Sequence, residues 1–90
     1  MVRRSQRHVL KTWPEYFEKI ADGTKTFELR EDDRGFEVGD ELMLVEYSPV
    51  ADVLTGRKVI RRVTYMMKGP AFGVDAGWCV LALASPNDPR

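Results

Sequence analysis

The chain has 90 residues, of which 43% are hydrophobic and 31% charged, and its formal net charge is zero. These values are typical of one small globular domain over residues 1–90, and the balanced charge argues against strong non-specific binding to nucleic acid. A single cysteine, Cys79, excludes an intramolecular disulfide framework and a cysteine-rich zinc site. Its apolar neighbours predict a buried thiol in a reducing compartment.

The two ends of the chain and the lengths of its apolar runs bear on location. No stretch approaches the roughly 20 apolar residues of a membrane span, and the start MVRRSQRHVL lacks the apolar core of a secretory signal. We therefore expect a cytoplasmic protein without membrane association, as a monomer or a weak dimer. Residues 1–7 are predicted to form a flexible basic arm, and residues 85–90 a flexible tail.

The first predicted elements are a short strand over residues 8–11 and a helix over residues 13–22. Thr12 is the predicted N-cap of this helix, with Pro14 in the first turn and Glu15 completing a capping box. Helical spacing of apolar side chains supports the assignment and marks Trp13, Phe17, Ile20 and Ala21.

After Gly23 the apolar period changes to two, which predicts a strand over residues 25–30. Further strands are predicted over residues 42–47, 58–67 and 78–84, with a loop over residues 48–56. About five strands and one helix, spaced too closely for parallel crossovers, indicate a mostly antiparallel sheet. We predict a small α+β fold, a curled β-barrel with the helix packed against one opening.

Charge is segregated along the chain. A basic start is followed by a mainly acidic stretch over residues 28–46 and by a second basic segment, which contains Arg57, Lys58, Arg61, Arg62 and Lys68. These segments either pair as neighbouring strands or form one basic face for a phosphate backbone. In the second case Arg57, Arg61 and Arg62 would supply sequence-independent contacts. A third possibility is that the acidic residues 31–41 contact a basic protein partner.

Most catalytic arrangements lack the residues they need. The chain has one histidine, His8, and one cysteine, and no glycine-rich loop leads into a helix, so we expect no metal and no cofactor. The remaining candidate is the charged strand, on which Glu28 and Arg30 project from the same face. Lys25 precedes them and can turn towards the barrel mouth. These three side chains form either an exposed ion pair or the wall of a ligand cleft.

The segment over residues 23–30, GTKTFELR, resembles the G-x-K-T-x-E-x-R motif of ASCH domains, a branch of the PUA-like superfamily. Other pieces, among them WPEYF at residues 13–17 and FEVGDEL at residues 36–42, are similar as well. LKTWP at residues 10–14 and DRGF at residues 33–36 look more narrowly like a small single-domain subfamily known only as a domain of unknown function. The resemblance covers residues 8–84.

The resemblance implies a β-barrel with the first helix against it and a cleft at the helix–strand junction. PUA-like domains commonly bind RNA or modified bases. Some ASCH proteins are hydrolases that deacetylate acetylated cytidine with a lysine, a threonine and a glutamate, and ribonuclease activity has been proposed for others. The catalytic lysine matches Lys25, whereas the threonine position is occupied by Glu28. Glu46 is a candidate for the glutamate.

The leading hypothesis is therefore an RNA- or nucleotide-binding module, in which Lys25 and Arg30 hold a phosphate or a base carbonyl. Glu28 would accept a hydrogen bond from the base or orient Arg30. The other candidate ligand-binding residues are Lys11, Trp13, Tyr16 and Glu46. Trp13, Tyr16 and Phe36 are candidate stacking surfaces, although helical spacing also fits a core position for Trp13. The alternative is a small metal-independent hydrolase of a modified nucleoside or of RNA, with Lys25 as base or electrophile and Glu28 as general acid/base.

Overall fold

The computed structural model describes residues 4–88, which form a five-stranded sheet curled into a half-barrel with one short helix. In chain order the elements are β1 (Arg7–Thr12), α1 (Pro14–Ala21), β2 (Phe27–Glu31), β3 (Glu41–Ser48), β4 (Val53–Lys68) and β5 (Trp78–Ala84). The ends of the predicted arm and tail, residues 1–3 and 89–90, lie outside the described residues. Within residues 4–88, no helix is both long enough and apolar enough to cross a membrane.

The strand order in the sheet is β1-β3-β4-β5-β2. Three of its four strand pairs are antiparallel, as predicted, but β1 and β3 run parallel. Because α1 and β2 lie between β1 and β3 in the chain, the connection is long enough for a parallel crossover. Among the described residues, strands β1 and β2 form the two edges of this sheet. Because they do not pair with each other, the barrel is open between them.

Helix α1 differs from its prediction at the N-terminus. The N-cap is Trp13 and not Thr12, and no side chain makes a cap hydrogen bond. The predicted capping box is wrong because Thr12 remains in β1, paired in register with Glu46. Pro14 occupies the first turn as expected. The helix buries Phe17 and Ile20, and Ile20 joins the apolar core of the half-barrel.

Strand β4 begins earlier than predicted. It starts at Val53, so the expected loop over residues 48–56 shrinks to a turn, and Tyr47 and Ser48 pair with the start of β4. Gly56 at φ 92° does not end the strand, because the long-range pairing with β3 outweighs the local preference of glycine for turns. The β3–β4 hairpin is accordingly longer than the sequence pattern indicated.

The apolar core lies inside the curl of the sheet. Its buried members include Leu10, Ile20, Phe36, Leu42, Leu44, Val63, Leu81 and Leu83. Cys79 belongs to this core and has no exposed surface, which confirms the predicted buried thiol. Burial raises the pKa of the Cys79 thiol, because the apolar surroundings disfavour the thiolate.

A buried polar pair fixes the segment that leads from β2 to β3. His8 Nε2 lies 2.9 Å from Asp40 Oδ2, and the same carboxylate accepts hydrogen bonds from the backbone N–H groups of Gln6 and Glu37. The His8 ring also meets the edge of the Phe36 ring at a centroid distance of 4.8 Å. These contacts hold Phe36 beneath the open side of the half-barrel.

Candidate functional site

A cleft of about 640 Å³ lies on the open side of the half-barrel. Its walls come from β1, the start of α1, β2, the segment that follows β2, and Trp78 at the start of β5. The cleft exists because the two edge strands, β1 and β2, do not pair with each other. Edge strands leave backbone groups without partners in the sheet, so side chains or a ligand must satisfy them.

Glu28 lies at the centre of this cleft. The alternation along β2 turns Glu28 inwards while Phe27 and Leu29 stay exposed. The residue is 4% exposed, and each carboxylate oxygen accepts a hydrogen bond from a different cation. Lys25 Nζ lies 2.9 Å from Oε1, and Arg30 Nε lies 2.8 Å from Oε2. Both cations are needed because a buried carboxylate is costly without charged partners.

Lys25 reaches Glu28 from the turn between α1 and β2. Asp22 and Gly23 end the helix, and Gly23 takes a φ of 85°, which suits glycine and redirects the chain. Lys25 Nζ donates a second hydrogen bond to the Phe27 carbonyl at 2.8 Å. It also lies 4.7 Å from the Phe27 ring centre, a favourable cation–π distance. These contacts fix the ammonium group at one end of the cleft.

Arg30 joins the two edge strands across the cleft. Its Nη2 group donates to the backbone carbonyl of Lys11 in β1 at 2.7 Å, while its Nε group holds Glu28. Arg34 makes a second link of the same kind, from Nη1 to the Val9 carbonyl at 2.8 Å. The guanidinium groups therefore bridge the open side where backbone pairing is absent.

Aromatic rings surround the charged centre. Trp13 and Tyr16 stack on each other with ring centres 6.3 Å apart, and both line the cleft. Trp13 is 50% exposed, so its alternative assignment to the core is wrong. Phe27 and Trp78 are also partly exposed along the cleft, whereas Phe36 forms part of its buried floor. The cleft thus offers several apolar surfaces beside one cluster of charge.

Two predicted ligand-binding side chains lie elsewhere. Lys11 lines the cleft, where its carbonyl accepts from Arg30, but its ammonium group lies 4.7 Å from the Tyr47 ring centre. Glu46 is buried and accepts a hydrogen bond from Thr55 Oγ1 at 2.6 Å. Neither the Lys11 ammonium nor Glu46 contacts the Lys25–Glu28–Arg30 cluster.

The three arginines predicted to contact a nucleic-acid backbone are also outside the cleft. Arg57 pairs with Glu18 on α1, Arg61 donates to the Ile20 carbonyl at the end of α1, and Arg62 donates to carbonyls of the C-terminal segment. None of these three arginines lines the cleft with Lys25 and Arg30, although Arg61 and Lys25 both line a second, smaller pocket.

Sequence reasoning missed Arg34 as a site residue. Arg34 is a cation within the acidic segment that follows β2. A single positive charge among acidic residues could have marked it as a candidate. Phe27 was likewise missed as a lining ring, because strand alternation does not show that the outer face borders a cleft. Among residues 4–88, no three His, Cys, Asp or Glu side chains are grouped closely enough to hold a metal ion.

Comparison with known proteins places this cleft within a family. A family described as "Domain of unknown function (DUF3850)" matches residues 7–83, which include every element up to β5. The chain belongs to this family. An uncharacterized 12.9 kDa protein in the GpA 3′ region of Escherichia phage P2 is 44% identical over 57 residues, or 63% of this chain. The chain spans about half the length of that relative, since the match covers 50% of it.

We predict that Lys25 and Glu28 are energetically coupled. A double-mutant cycle with Lys25→Ala and Glu28→Ala is expected to give a coupling free energy of about 1–3 kcal/mol, because both side chains are largely withdrawn from water. Urea unfolding of the four proteins measures it. The matched control is the exposed pair Arg7–Glu41, for which coupling below about 1 kcal/mol is expected. Equal coupling free energies in the two pairs would contradict the claim that the buried Glu28 carboxylate depends on its ion pair with Lys25.

Proposed function

We propose that this protein binds single-stranded RNA, or a free nucleotide, by holding one unstacked base in the cleft. The observation that carries the proposal is the convergence of Lys25, Glu28 and Arg30 among partly exposed aromatic rings. Recognition of single-stranded RNA commonly combines stacking of a splayed base with hydrogen bonds to its edge. The cleft offers both kinds of contact side by side.

The size and lining of the cleft support a ligand of this class. Small-molecule sites usually have volumes of roughly 300–1,000 Å³, mostly apolar walls and a few convergent polar groups. A volume of about 640 Å³ lies within that range. Trp13 and Trp78 are 50% and 40% exposed beside the cleft, and stacking on such rings contributes about 1–3 kcal/mol per base.

The cations around Glu28 support a ligand with acceptor groups, while Glu31 and Asp33, which also line the cleft, balance the charge of the lining as a whole. Lys25 and Arg30 carry two positive charges around the single negative charge of Glu28. Arg34 at the β1 edge lies 3.9 Å from the Asp33 carboxylate and is 44% exposed, so part of its guanidinium is accessible to a phosphate. We assign the phosphate contacts to Arg34 because it lines the cleft, whereas Arg57, Arg61 and Arg62 lie outside it.

The resemblance to ASCH domains agrees with this assignment. The segment GTKTFELR, on which that resemblance rests, supplies all three members of the charged cluster. We propose on this basis that the family belongs to the PUA-like superfamily, in which binding of RNA and of modified bases is common. The half-barrel with its helix at the open side is compatible with that membership.

The contacts of Lys25 and Glu28 favour binding over hydrolysis. An ammonium group that donates to both Glu28 and the Phe27 carbonyl is poorly placed to accept a proton. Both oxygens of Glu28 already accept hydrogen bonds from cations, so a reacting group would have to compete with these contacts. The hydrolase alternative therefore requires these ion pairs to break.

The binding proposal predicts quenching of intrinsic fluorescence by a short single-stranded RNA, because both tryptophans of the chain line the cleft. Lys25→Ala and Arg30→Ala are each expected to weaken binding about tenfold or more. Lys58→Ala is the matched control, since Lys58 is exposed outside the cleft, and a change of no more than about twofold is expected. Absence of binding at low salt, or equal binding by all variants, would contradict the proposal.

Turnover separates the two functions. Incubation of the protein with acetylated cytidine, or with labelled RNA, is expected to release no acetate and no cleaved fragments. Chromatography of the products measures both reactions. Product formation that disappears in both Lys25→Ala and Glu28→Ala would establish the hydrolase instead.

A further inference from the structure

The cleft presents a fixed order of hydrogen-bonding groups. An ammonium group carries three donors, and Lys25 uses two of them on Phe27 and Glu28. The third has no hydrogen-bond acceptor among residues 4–88. The guanidinium of Arg30 carries five donors, and three of them, one on Nη2 and two on Nη1, make no hydrogen bond within the same range. Donors therefore remain on both sides of Glu28.

Glu28 itself remains an acceptor. Each of its oxygens accepts one hydrogen bond from a cation, whereas a carboxylate has about four acceptor positions in total. Glu28 is one of the residues that line the cleft, and its side chain is 5% exposed. Lys25 and Arg30 bind opposite oxygens of this one carboxylate. The cleft wall formed by Lys25, Glu28 and Arg30 therefore offers a donor, an acceptor and a donor, in that order.

We infer that the base held in the cleft is uracil, or another pyrimidine with the same imide edge; this inference rests on the proposed binding of RNA or a nucleotide. The Watson–Crick edge of uracil reads carbonyl O4, N3–H, carbonyl O2, which is acceptor, donor, acceptor. It complements the wall at all three positions. Lys25 and Arg30 bind the two carbonyls, in either orientation of the ring, and Glu28 accepts from N3–H.

The other bases match this wall less well. Cytosine presents an amino group to one cation and an unprotonated N3 to Glu28, so two of its three positions repel. Guanine presents O6 and N1–H correctly but places its 2-amino group against a donor. Adenine presents an amino donor and an unprotonated N1. A site whose buried polar groups are left unpaired by the wrong ligand discriminates strongly against it.

The test compares oligoribonucleotides of one length that contain only uracil, only cytosine or only adenine, with tryptophan fluorescence as the readout. Oligo-U is expected to bind at least about tenfold more tightly than oligo-C and oligo-A. Oligo-U methylated at N3 keeps the charge, the ring and both carbonyls but loses the donor, and it is expected to bind about tenfold more weakly than oligo-U or worse. Thymine in DNA has the same imide edge as uracil, so oligo-dT is compared as well. Binding equal to that of oligo-U extends the inference to thymine, whereas weaker binding assigns the site to RNA.

The outcomes distinguish this inference from the proposed function. Equal binding of oligo-U and oligo-C, or equal binding of N3-methylated and unmodified oligo-U, overturns the inference while leaving RNA binding in place. Failure of every oligonucleotide to bind overturns the proposed function and the inference together.

A protein variant tests the acceptor role of Glu28 directly. Glu28→Gln replaces one acceptor oxygen by an amide donor, so the ratio of oligo-U to oligo-C affinity is expected to fall at least about threefold. Glu15→Gln on the exposed side of α1 is the matched control and is expected to keep the ratio of the wild-type protein. An unchanged ratio in folded Glu28→Gln overturns the inference. If circular dichroism shows that Glu28→Gln does not fold, the N3-methylated ligand decides the matter with the unaltered protein.

Discussion

The buried carboxylate of Glu28 is the interaction on which the open side of this structure depends. It separates two cations that would otherwise repel each other, and it fixes both at hydrogen-bond distance. Arg30, held by Glu28, in turn donates a hydrogen bond to the Lys11 carbonyl and so links β2 to β1. Buried ion pairs often contribute little net stability, because desolvation offsets attraction. What Glu28 provides is a fixed arrangement of donors and acceptors that no ligand has to organise.

The half-barrel makes that arrangement accessible. A closed barrel would pair β1 with β2 and fill the space that the cleft now occupies. Here guanidinium groups replace part of the missing backbone pairing, so the edge strands are held near each other without closing. The aromatic rings at the start of α1 and β5 border the same gap. The opening in the sheet and the cleft are thus one feature.

Local patterns in the sequence predicted the elements and the central motif. Period-two and helical spacing of apolar residues located α1 and the strands. The segment GTKTFELR marked Lys25, Glu28 and Arg30 as a group, and in the structure Glu28 contacts both of the other side chains. Pairing over long range was not visible in those patterns. The parallel β1–β3 pair, the early start of β4 and the strand position of Thr12 all arise from contacts between residues distant in sequence. The same reason explains why Arg34 was missed and why Glu46 and Arg57 lie away from the cleft.

The most direct test of the central claim is the exchange of the Arg30 side-chain Nε–H with water, measured by ¹H–¹⁵N NMR. If Glu28 holds Arg30 as described, this proton exchanges much more slowly than the Nε–H of the exposed Arg57, and its resonance shifts downfield because the hydrogen bond is charge-assisted. Exchange of Arg30 at the same rate as Arg57, without a downfield shift, would contradict the account.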